Sequence, residues 1–566
     1  MSAGSGPVNA ASEPVNAASE PVSASSEPVT VAARLAAVEP AEARHLGGLL
    51  DRLDAAGLLR AAVGPQGALD RARLREMPVM GIAEDSRDAR PGSLFSALRG
   101  EHVDGHDFVA AAAAAGATVA LVETPAPAQG IVQLVVGDGR RALAAAATWW
   151  YDDPSASLGV VGVTGTDGKT TTSFLAVAAL EAAGLPAGMI GTAAIRVGGS
   201  TEANPEHVTT PSAPRLQQEL AAMVAAGDAV AIVETTSHGL AQERVGGIAY
   251  DAAIFTNLTH EHLEFHGTFD AYRAAKVSLF RRLGQGGPVK PRPFPRVAVV
   301  NVDDPSAPLF AAAARASGAR LFTYGIDAAA DVRIVAADEN ARLLRVRLAT
   351  PAGKRRLALR LAGRFNAHNA AAIVALGTGW ELDPAAVRAG LESVEHVPGR
   401  MERVEAGQPF AVIVDYAHSP ASLAIVLDLL APIARAGGGG LIAVFGSAGE
   451  RDVAKRPLMG RVAGERCRLV VATDEDPRGE DPLAILDQIA AGAEQAGLHR
   501  GEGLLLLPDR REAIGEAFAR ARPGDVVLLA GKGHERSIIQ AGGDLPWDER
   551  AVAEETLAAM GFRGSG

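Results

Sequence analysis

The run Leu158-Gly-Val-Val-Gly-Val163 is followed without a spacer by Thr164-Gly-Thr-Asp-Gly-Lys-Thr-Thr-Thr172 and then by a long helical pattern. An apolar, β-branched run of this kind reads as a buried strand, and the Gly-rich turn joins its C-terminal end directly to a helix. This stretch commits the chain to an α/β architecture with a mostly parallel sheet. It also carries chemistry. Glycines let the backbone turn tightly and present N–H groups to phosphate oxygens. Lys169 reaches terminal phosphates as a point charge, and the Thr170 hydroxyl is placed to reach magnesium. A turn with no ligand is the bland alternative, but Gly-Lys-Thr straight after a buried strand favours phosphate. The position five residues before Gly168 is Val163 rather than glycine, so general phosphate-loop kinases and GTPases fit poorly.

The 566 residues suggest three or four domains at ~150 residues each. Residues 1–45 read as a disordered leader, with Pro-Val recurring at Pro7, Pro14, Pro21 and Pro28, followed by the start of a first helix. Helical periodicity is expected from about Ala33 to Ala62, with Leu35, Leu46, Leu49, Leu50 and Leu53 on one face. Residues 46–150 then read as a small α/β domain containing a strand at Thr118–Val122. A central domain over 151–393 adds strands at Ala229–Val233, Ala252–Phe255 and Val297–Val300. A third over 394–566 has strands at Ala411–Val414, Gly440–Phe445, Leu469–Ala472 and Val526–Ala530, alternating with helices as in a doubly wound sheet.

The net charge of −12 argues against a non-specific nucleic-acid surface, which needs a basic stripe, while leaving room for local anion pockets. The single cysteine, Cys467, excludes an internal disulfide and reads as a small buried residue. No uncharged run is long enough to span a bilayer, and the N-terminus lacks a secretory pattern, so a cytoplasmic, monomeric protein is expected.

Two further motifs leave the C-terminal ends of strands, where open α/β sheets bind ligands. They are Glu234-Thr-Thr-Ser-His-Gly-Leu240 and Phe255-Thr-Asn-Leu-Thr-His-Glu-His-Leu-Glu-Phe-His-Gly-Thr268, with Tyr272, Lys276 and Phe280 beyond. Magnesium prefers hard oxygen ligands, which makes Glu234 a candidate ligand and His262 a second. His260, His262 and His266 could equally cap or brace a loop.

In combination, these motifs and the variant loop resemble the Mur ligase and folylpolyglutamate synthetase family, and within it the UDP-N-acetylmuramoyl-tripeptide synthetase (MurE) branch. Asp167 stands where the family usually has Asn, so its carboxylate is expected to turn from the phosphates or meet cations. Glu261 replaces the usual Asp. The resemblance covers residue 46 to the C-terminus and implies three domains: a UDP-sugar-binding first domain, a central parallel-sheet ATPase and a Rossmann-like amino-acid domain. It implies ATP and Mg2+, with ATP held by Thr164, Gly165, Thr166, Asp167, Gly168, Lys169, Thr170 and Thr171, by Asn366 and Asn369, and from the third domain by Arg400, Asp415 and His418. Lys169, Glu234, His262 and Lys276 would be catalytic, and Thr170, Glu234, His262 and a carbamylated Lys276 would hold metal. Ser86, Thr209, Thr210, Ser237 and Arg244 would meet the UDP-N-acetylmuramoyl dipeptide. Arg456, Glu475, Asp476, Pro477, Arg478, Gly531 and Glu535 would meet the amino acid.

The implied reaction is ATP-dependent addition of the third stem-peptide residue in peptidoglycan synthesis through an acyl phosphate, with domain closure excluding water. Arg478 suits a distal carboxylate and leans the choice to meso-diaminopimelate. The extra acid at Asp476 leaves L-lysine or L-ornithine open. The rival of a different class is an inactive scaffold that holds the nucleotide-sugar peptide.

Overall fold

The computed structural model describes residues 29–563 except 65–66, 101–102, 128–129, 207, 260, 262, 285–288 and 340–342. Its largest element is an eleven-stranded sheet. Strands Ala187–Ile190, Val230–Glu234, Gly159–Thr164, Ala252–Phe255, Val297–Asn301, Arg320–Gly325 and Val332–Glu339 run side by side and parallel. Four of these, at 159–164, 230–234, 252–255 and 297–301, are buried at every position, as a parallel sheet covered on both faces requires. Alternation sorts their side chains. Val161, Val163, Ile232, Ile254 and Val299 pack with helices Lys169–Ala182 and Asn366–Gly379. Val160, Val233, Ala253, Phe255 and Val300 pack with helices Ala213–Ala226 and Phe269–Arg282 on the other face.

Antiparallel strands extend both edges. Ala194–Val197 and Ser200–Ala203 lie at one edge, Leu344–Thr350 and Gly353–Leu359 at the other. Smaller sheets flank this unit in sequence. The earlier one orders Gly67–Ala68, Leu59–Gly64, Val132–Val136, Val119–Val122, Ser93–Ser96 and Gly81–Ala83. The later one orders Glu402–Val404, Ala411–Asp415, Val526–Ala530, Leu441–Phe445, Leu469–Ala472 and Leu504–Leu506, all parallel except its first strand. Helices Pro420–Ala436, Lys455–Gly464 and Pro482–Gln495 cover one face of it, and Arg510–Ala519 and Glu549–Ala559 the other. Among the described residues no helix is long and apolar enough to cross a membrane.

One expectation fails. Residues 33–62 are not a single helical stretch but helix Val31–Ala37, helix Gly47–Ala55 and strand Leu59–Gly64. Pro40 biases Glu39 away from helical angles and breaks the run. The leucines also part company. Leu35 packs with Val160, Leu216 and Leu220 of the large sheet unit, whereas Leu46, Leu49, Leu50 and Leu53 fill the core of the preceding one. Thr30 caps the first helix, and the Val31 N–H donates to Glu202 Oε1 at 2.7 Å. Residues 1–28, with their four Pro-Val repeats, lie outside the described residues. Cys467 is buried, and burial pushes its thiol up to about 12.

Candidate functional site

The Gly-rich turn sits at the C-terminal end of the central strand Gly159–Thr164. Gly168, at φ 83°, closes it, and a Cβ there would come within 2.7 Å of Asn369 Oδ1. Asn257, after the neighbouring strand, pins the turn: its carbonyl accepts from the Thr166 N–H at 2.8 Å and its side-chain oxygen from the Asp167 N–H at 2.9 Å. Thr256 Oγ1 donates to the Asp167 carbonyl at 2.6 Å. The fold thus grips the backbone of residue 167, while the residue itself is exposed. Asn369 Oδ1 accepts from the Thr172 hydroxyl, and Asn369 Nδ2 donates to Asn366 Oδ1 at 2.9 Å. Thr164, Thr166, Thr170 and Thr171 are buried.

Two lysines converge on one carbonyl. Lys169 Nζ donates to Gly165 O at 3.0 Å and Thr166 O at 2.6 Å, and Lys276 Nζ donates to Gly165 O at 2.7 Å. Lys276 comes from helix Phe269–Arg282, is 2% exposed, and lies 4.8 Å from the centre of the Tyr272 ring. Burial, then the neighbouring Lys169 ammonium, pushes its amine well below the ordinary lysine value, against weaker pulls from Glu261 and Asp167. Tyr272 also hydrogen-bonds Thr166 Oγ1 at 2.9 Å, tying this helix to the turn.

Glu234 ends the next parallel strand and is fully buried. Its carboxylate accepts from Thr170 Oγ1 at 3.0 Å, Thr192 Oγ1 at 3.1 Å and the Thr192 N–H at 3.2 Å. A Cβ at residue 191 would lie 2.2 Å from Glu234 Oε1, so Gly191 is what lets that loop approach. Burial raises the carboxyl's proton affinity; Lys169, Arg400 and the threonine hydroxyls oppose it. No cation hydrogen-bonds it among the described residues, and its neighbours are hard oxygens. Such a donor set fits a magnesium ion. His260 and His262 lie outside the described residues, and His266 stacks near Tyr272 and His238.

A second ring of loops surrounds Glu234. Thr192 Oγ1 donates to Thr209 Oγ1 at 2.9 Å, and Thr210 Oγ1 donates to the Glu234 carbonyl at 2.8 Å. Arg244 Nη1 donates to the Thr210 carbonyl at 2.8 Å. Ser237 is buried, its hydroxyl without a partner. Ser212 donates to Glu84 Oε2 at 2.5 Å, which brings the first unit's half-buried Ser86 loop against this ring.

From the later unit, Arg400 reaches Thr170 Oγ1 at 3.4 Å and lies over the Tyr416 ring at 4.9 Å. Asp415 is buried, and its carboxylate accepts from the Met401 and Ala417 N–H groups at 2.8 and 2.9 Å. His418 is held through its carbonyl by Lys455 at 2.9 Å.

Farther out, the loops after strands Ala411–Asp415, Leu469–Ala472 and Val526–Ala530 converge. Lys532, fully buried, donates to Asp476 Oδ1 at 2.7 Å and to Glu535 Oε2 at 2.5 Å. Glu535 also accepts from the Tyr416 hydroxyl at 3.1 Å. Glu475 is buried with Oε2 unpartnered among the described residues, and its carboxylate lies 3.4 Å from where a Cβ on Gly531 would stand. Arg478, after Pro477, holds a left-handed φ of 55° and has a buried Nε with no partner among the described residues. Arg456 is enclosed and committed internally: its guanidinium grips both Glu480 oxygens at 2.8 and 2.9 Å, with Gln488 and the Ala448 carbonyl beside it.

The structure therefore gathers the expected residues into two neighbouring clusters, one around Gly165 and Glu234, the other around Lys532. Sequence reasoning missed Thr192, Asn257 and Lys532. Asn257 stood inside a quoted motif, Lys532 sits between the named Gly531 and Glu535, and Thr192 follows Gly191 at a strand end, which was the available signal.

Family models match in three stretches: the "Mur ligase family, catalytic domain" over residues 78–151, the "Mur ligase middle domain" over 163–377, and the "Mur ligase, glutamate ligase domain" over 399–533. A UDP-N-acetylmuramyl-tripeptide synthetase of Roseiflexus sp. (strain RS-1) is 47% identical over 497 residues, covering 86% of this chain and 96% of the relative. A UDP-N-acetylmuramoyl-L-alanyl-D-glutamate--2,6-diaminopimelate ligase of Geobacter metallireducens is 39% identical, covering 87% and 96%. A solved structure bearing that same ligase name aligns with a TM-score of 0.60 at 30% identity, covering 87% of this chain and 97% of its own. With its phosphate loop, its buried Glu234 and its three matched stretches in order, the chain belongs to the Mur ligase family, on its tripeptide synthetase branch.

Proposed function

We propose that this chain is an ATP-dependent ligase that joins a diamino acid to UDP-N-acetylmuramoyl-L-alanyl-D-glutamate, forming the third residue of the peptidoglycan stem peptide. The observation that carries this reading is the buried Glu234 carboxylate facing Thr170 of the phosphate loop, with Lys169 and Lys276 one carbonyl away. The relatives' names support the substrates.

The dipeptide carboxylate attacks the γ-phosphorus of ATP, giving an acyl phosphate and ADP. The amine of the diamino acid then attacks the acyl carbon, expelling phosphate and losing a proton. Lys169 and the loop N–H groups stabilise charge on the transferring phosphoryl oxygens. Asn366 and Asn369 brace the loop from behind. Thr170 and Glu234, with His262 and a carbamylated Lys276, would hold Mg2+, which supplies charge neutralisation. Lys276 suits carbamylation: a neutral amine adds to CO2, forming an N–C bond, releasing a proton and turning a repelling cation into an anion. Thr209, Thr210, Ser237 and Arg244, with Ser86 beyond them, orient the dipeptide. Arg400, Asp415 and His418 close the nucleotide side. Arg456 is a positioning residue, fixing Glu480 beside the amino-acid loops.

For the amino acid, the pairing of Lys532 with Asp476 answers the extra negative charge, so Asp476 does not stand ready for a substrate amine. The open valences are the unpartnered atoms of Arg478 and Glu475, one cationic and one anionic. They suit the amine and carboxylate of meso-diaminopimelate's distal centre better than the lone amine of lysine or ornithine. A cytoplasmic monomer, with residues 46–150, 151–393 and 394–566 binding the UDP-sugar, ATP and the amino acid in turn, completes the reading.

The test is phosphate release by the purified protein with ATP, dipeptide substrate and each of the three diamino acids. Release should require both substrates, prefer diaminopimelate and vanish in Lys169→Ala. Use of lysine alone overturns the choice of amino acid. Release indifferent to the dipeptide, or binding without turnover, overturns the ligase reading in favour of a scaffold.

A further inference from the structure

Far along the large sheet from the phosphate loop, a cavity of about 540 Å³ opens between the hairpin Leu344–Thr350/Gly353–Leu359 and the helices Asn366–Gly379 and Pro384–Ser393. Its volume falls in the range of small-molecule sites, roughly 300–1,000 Å³. The floor is aliphatic: Leu348, Leu357, Val374, Leu382 and Val387. The rim is cationic, with Arg347, Lys354, Arg355, Arg356 and Arg388. Among the described residues no acidic side chain lines it.

Two features separate this rim from an ordinary solvated surface. Arg355 pairs with Leu348 in the hairpin register, on the face where Leu357 and Leu359 are buried. Alternation calls for an apolar residue at that position. Arg355 is instead half-buried, and no acid pairs with it among the described residues. Arg347 and Arg356 stand directly opposite each other, an arrangement that destabilises a hairpin. The nearest relief for Arg347 is Asp338 at 3.9 Å, and Lys354 and Arg356 have no ion-pair partner among the described residues. Arg388 is answered by Glu392 at 3.0 Å, so Arg355 is the rim cation on the floor's face of the hairpin that has no acidic partner among the described residues, in a chain of net charge −12.

We propose that this cavity binds a single-chain anionic amphiphile, its phosphate or carboxylate head held by Arg355 and its alkyl body on the aliphatic floor. The lining has no aromatic ring to stack a nucleobase and no side-chain amide to read one, which sets nucleotides aside. The volume suits one molecule entering the cavity.

Calorimetric titration of the full-length protein with dodecyl phosphate below its micelle concentration tests this. Inorganic phosphate supplies a head-only control, dodecyl maltoside a neutral control, and phosphatidylglycerol vesicles a bilayer control. The expected result is one site per chain for dodecyl phosphate, weakened at least tenfold in Arg355→Glu, with weak or no binding of both soluble controls. Ligase turnover should be unchanged in that variant, which checks its fold; the milder Arg355→Gln replaces it if turnover falls. Equal affinity in the variants, equal affinity for either soluble control, or binding to vesicles alone would overturn the proposal.

Discussion

Lys276 and Lys532 are both enclosed, at 2% and 0% exposure, and the fold treats them in opposite ways. Lys532 is wedged between two carboxylates, Asp476 and Glu535. Lys276 has a backbone carbonyl, an aromatic ring and a second lysine nearby, and no carboxylate within ion-pair distance among the described residues. A buried ammonium is tolerated when it is paired and hydrogen-bonded, and otherwise gives up its proton. Lys532 is therefore a strut between loops, whereas burial and the neighbouring Lys169 push the Lys276 amine towards its neutral form. The same contrast applies to the acids. Asp476 is answered by a lysine inside the protein; Glu234, among the described residues, hydrogen-bonds only hydroxyl and N–H donors.

The largest expected effect is on turnover. Lys276→Ala should lower kcat by roughly 10²–10³-fold, the scale of losing one electrostatic stabiliser. It should leave the thermal transition in place, and millimolar acetate should restore part of the rate. Wild-type turnover in this variant would erase the distinction between the two lysines.

Next comes stability. Lys532→Met strands the buried Asp476 and the half-buried Glu535 and should cost about 3–5 kcal/mol in urea unfolding. Lys276→Met removes an unpaired amine and should be neutral or stabilising, so equal losses would break the comparison.

The pH dependence sharpens it further. The folded-state affinity of Lys276 for its proton is lowered. Between that lowered value and the ordinary lysine value, the unfolded chain therefore holds a proton that the folded chain lacks. Stability must rise with pH across that window, by at most about 1.4 kcal/mol per unit. In CO2-free buffer, the stability difference between wild type and Lys276→Met should move in the wild type's favour from pH 7 to pH 10. A flat difference would mean that Lys276 keeps its proton.

The smallest effect is expected at Asp476→Asn. Lys532 keeps Glu535, so the loss should be about 0.5–1.5 kcal/mol, with the order of preference among diamino acids unchanged. A switch to lysine would show that Asp476 reads the substrate after all.

What the sequence revealed and what it hid follow from range. The phosphate turn was legible because strand, glycines, lysine and helix are contiguous. The buried strands were legible because they are apolar up to their final residue. The partners of the charged groups were not. Lys276 reaches Gly165 across 111 residues, and Lys532 reaches Asp476 across 56. No local pattern distinguishes a lysine that will find an acid from one that will find a carbonyl. The edge hairpin was missed for a related reason: its alternation is broken by arginine at a core-facing position. The split of the first helical stretch, by contrast, was written in Pro40 and was available to be read.

The convergence of the later unit on Thr170 through Arg400 has a consequence for how such a chain can diversify. On the proposed function, the groups that would energise the carboxylate and those that would select the incoming amine lie on separate stretches of polypeptide, with Arg400 reaching Thr170 between them. A lineage could therefore exchange residues 399–533 wholesale, as a cassette, and change which amino acid enters the wall without rebuilding its engine. The toll for such a graft would be keeping one arginine in reach of one threonine.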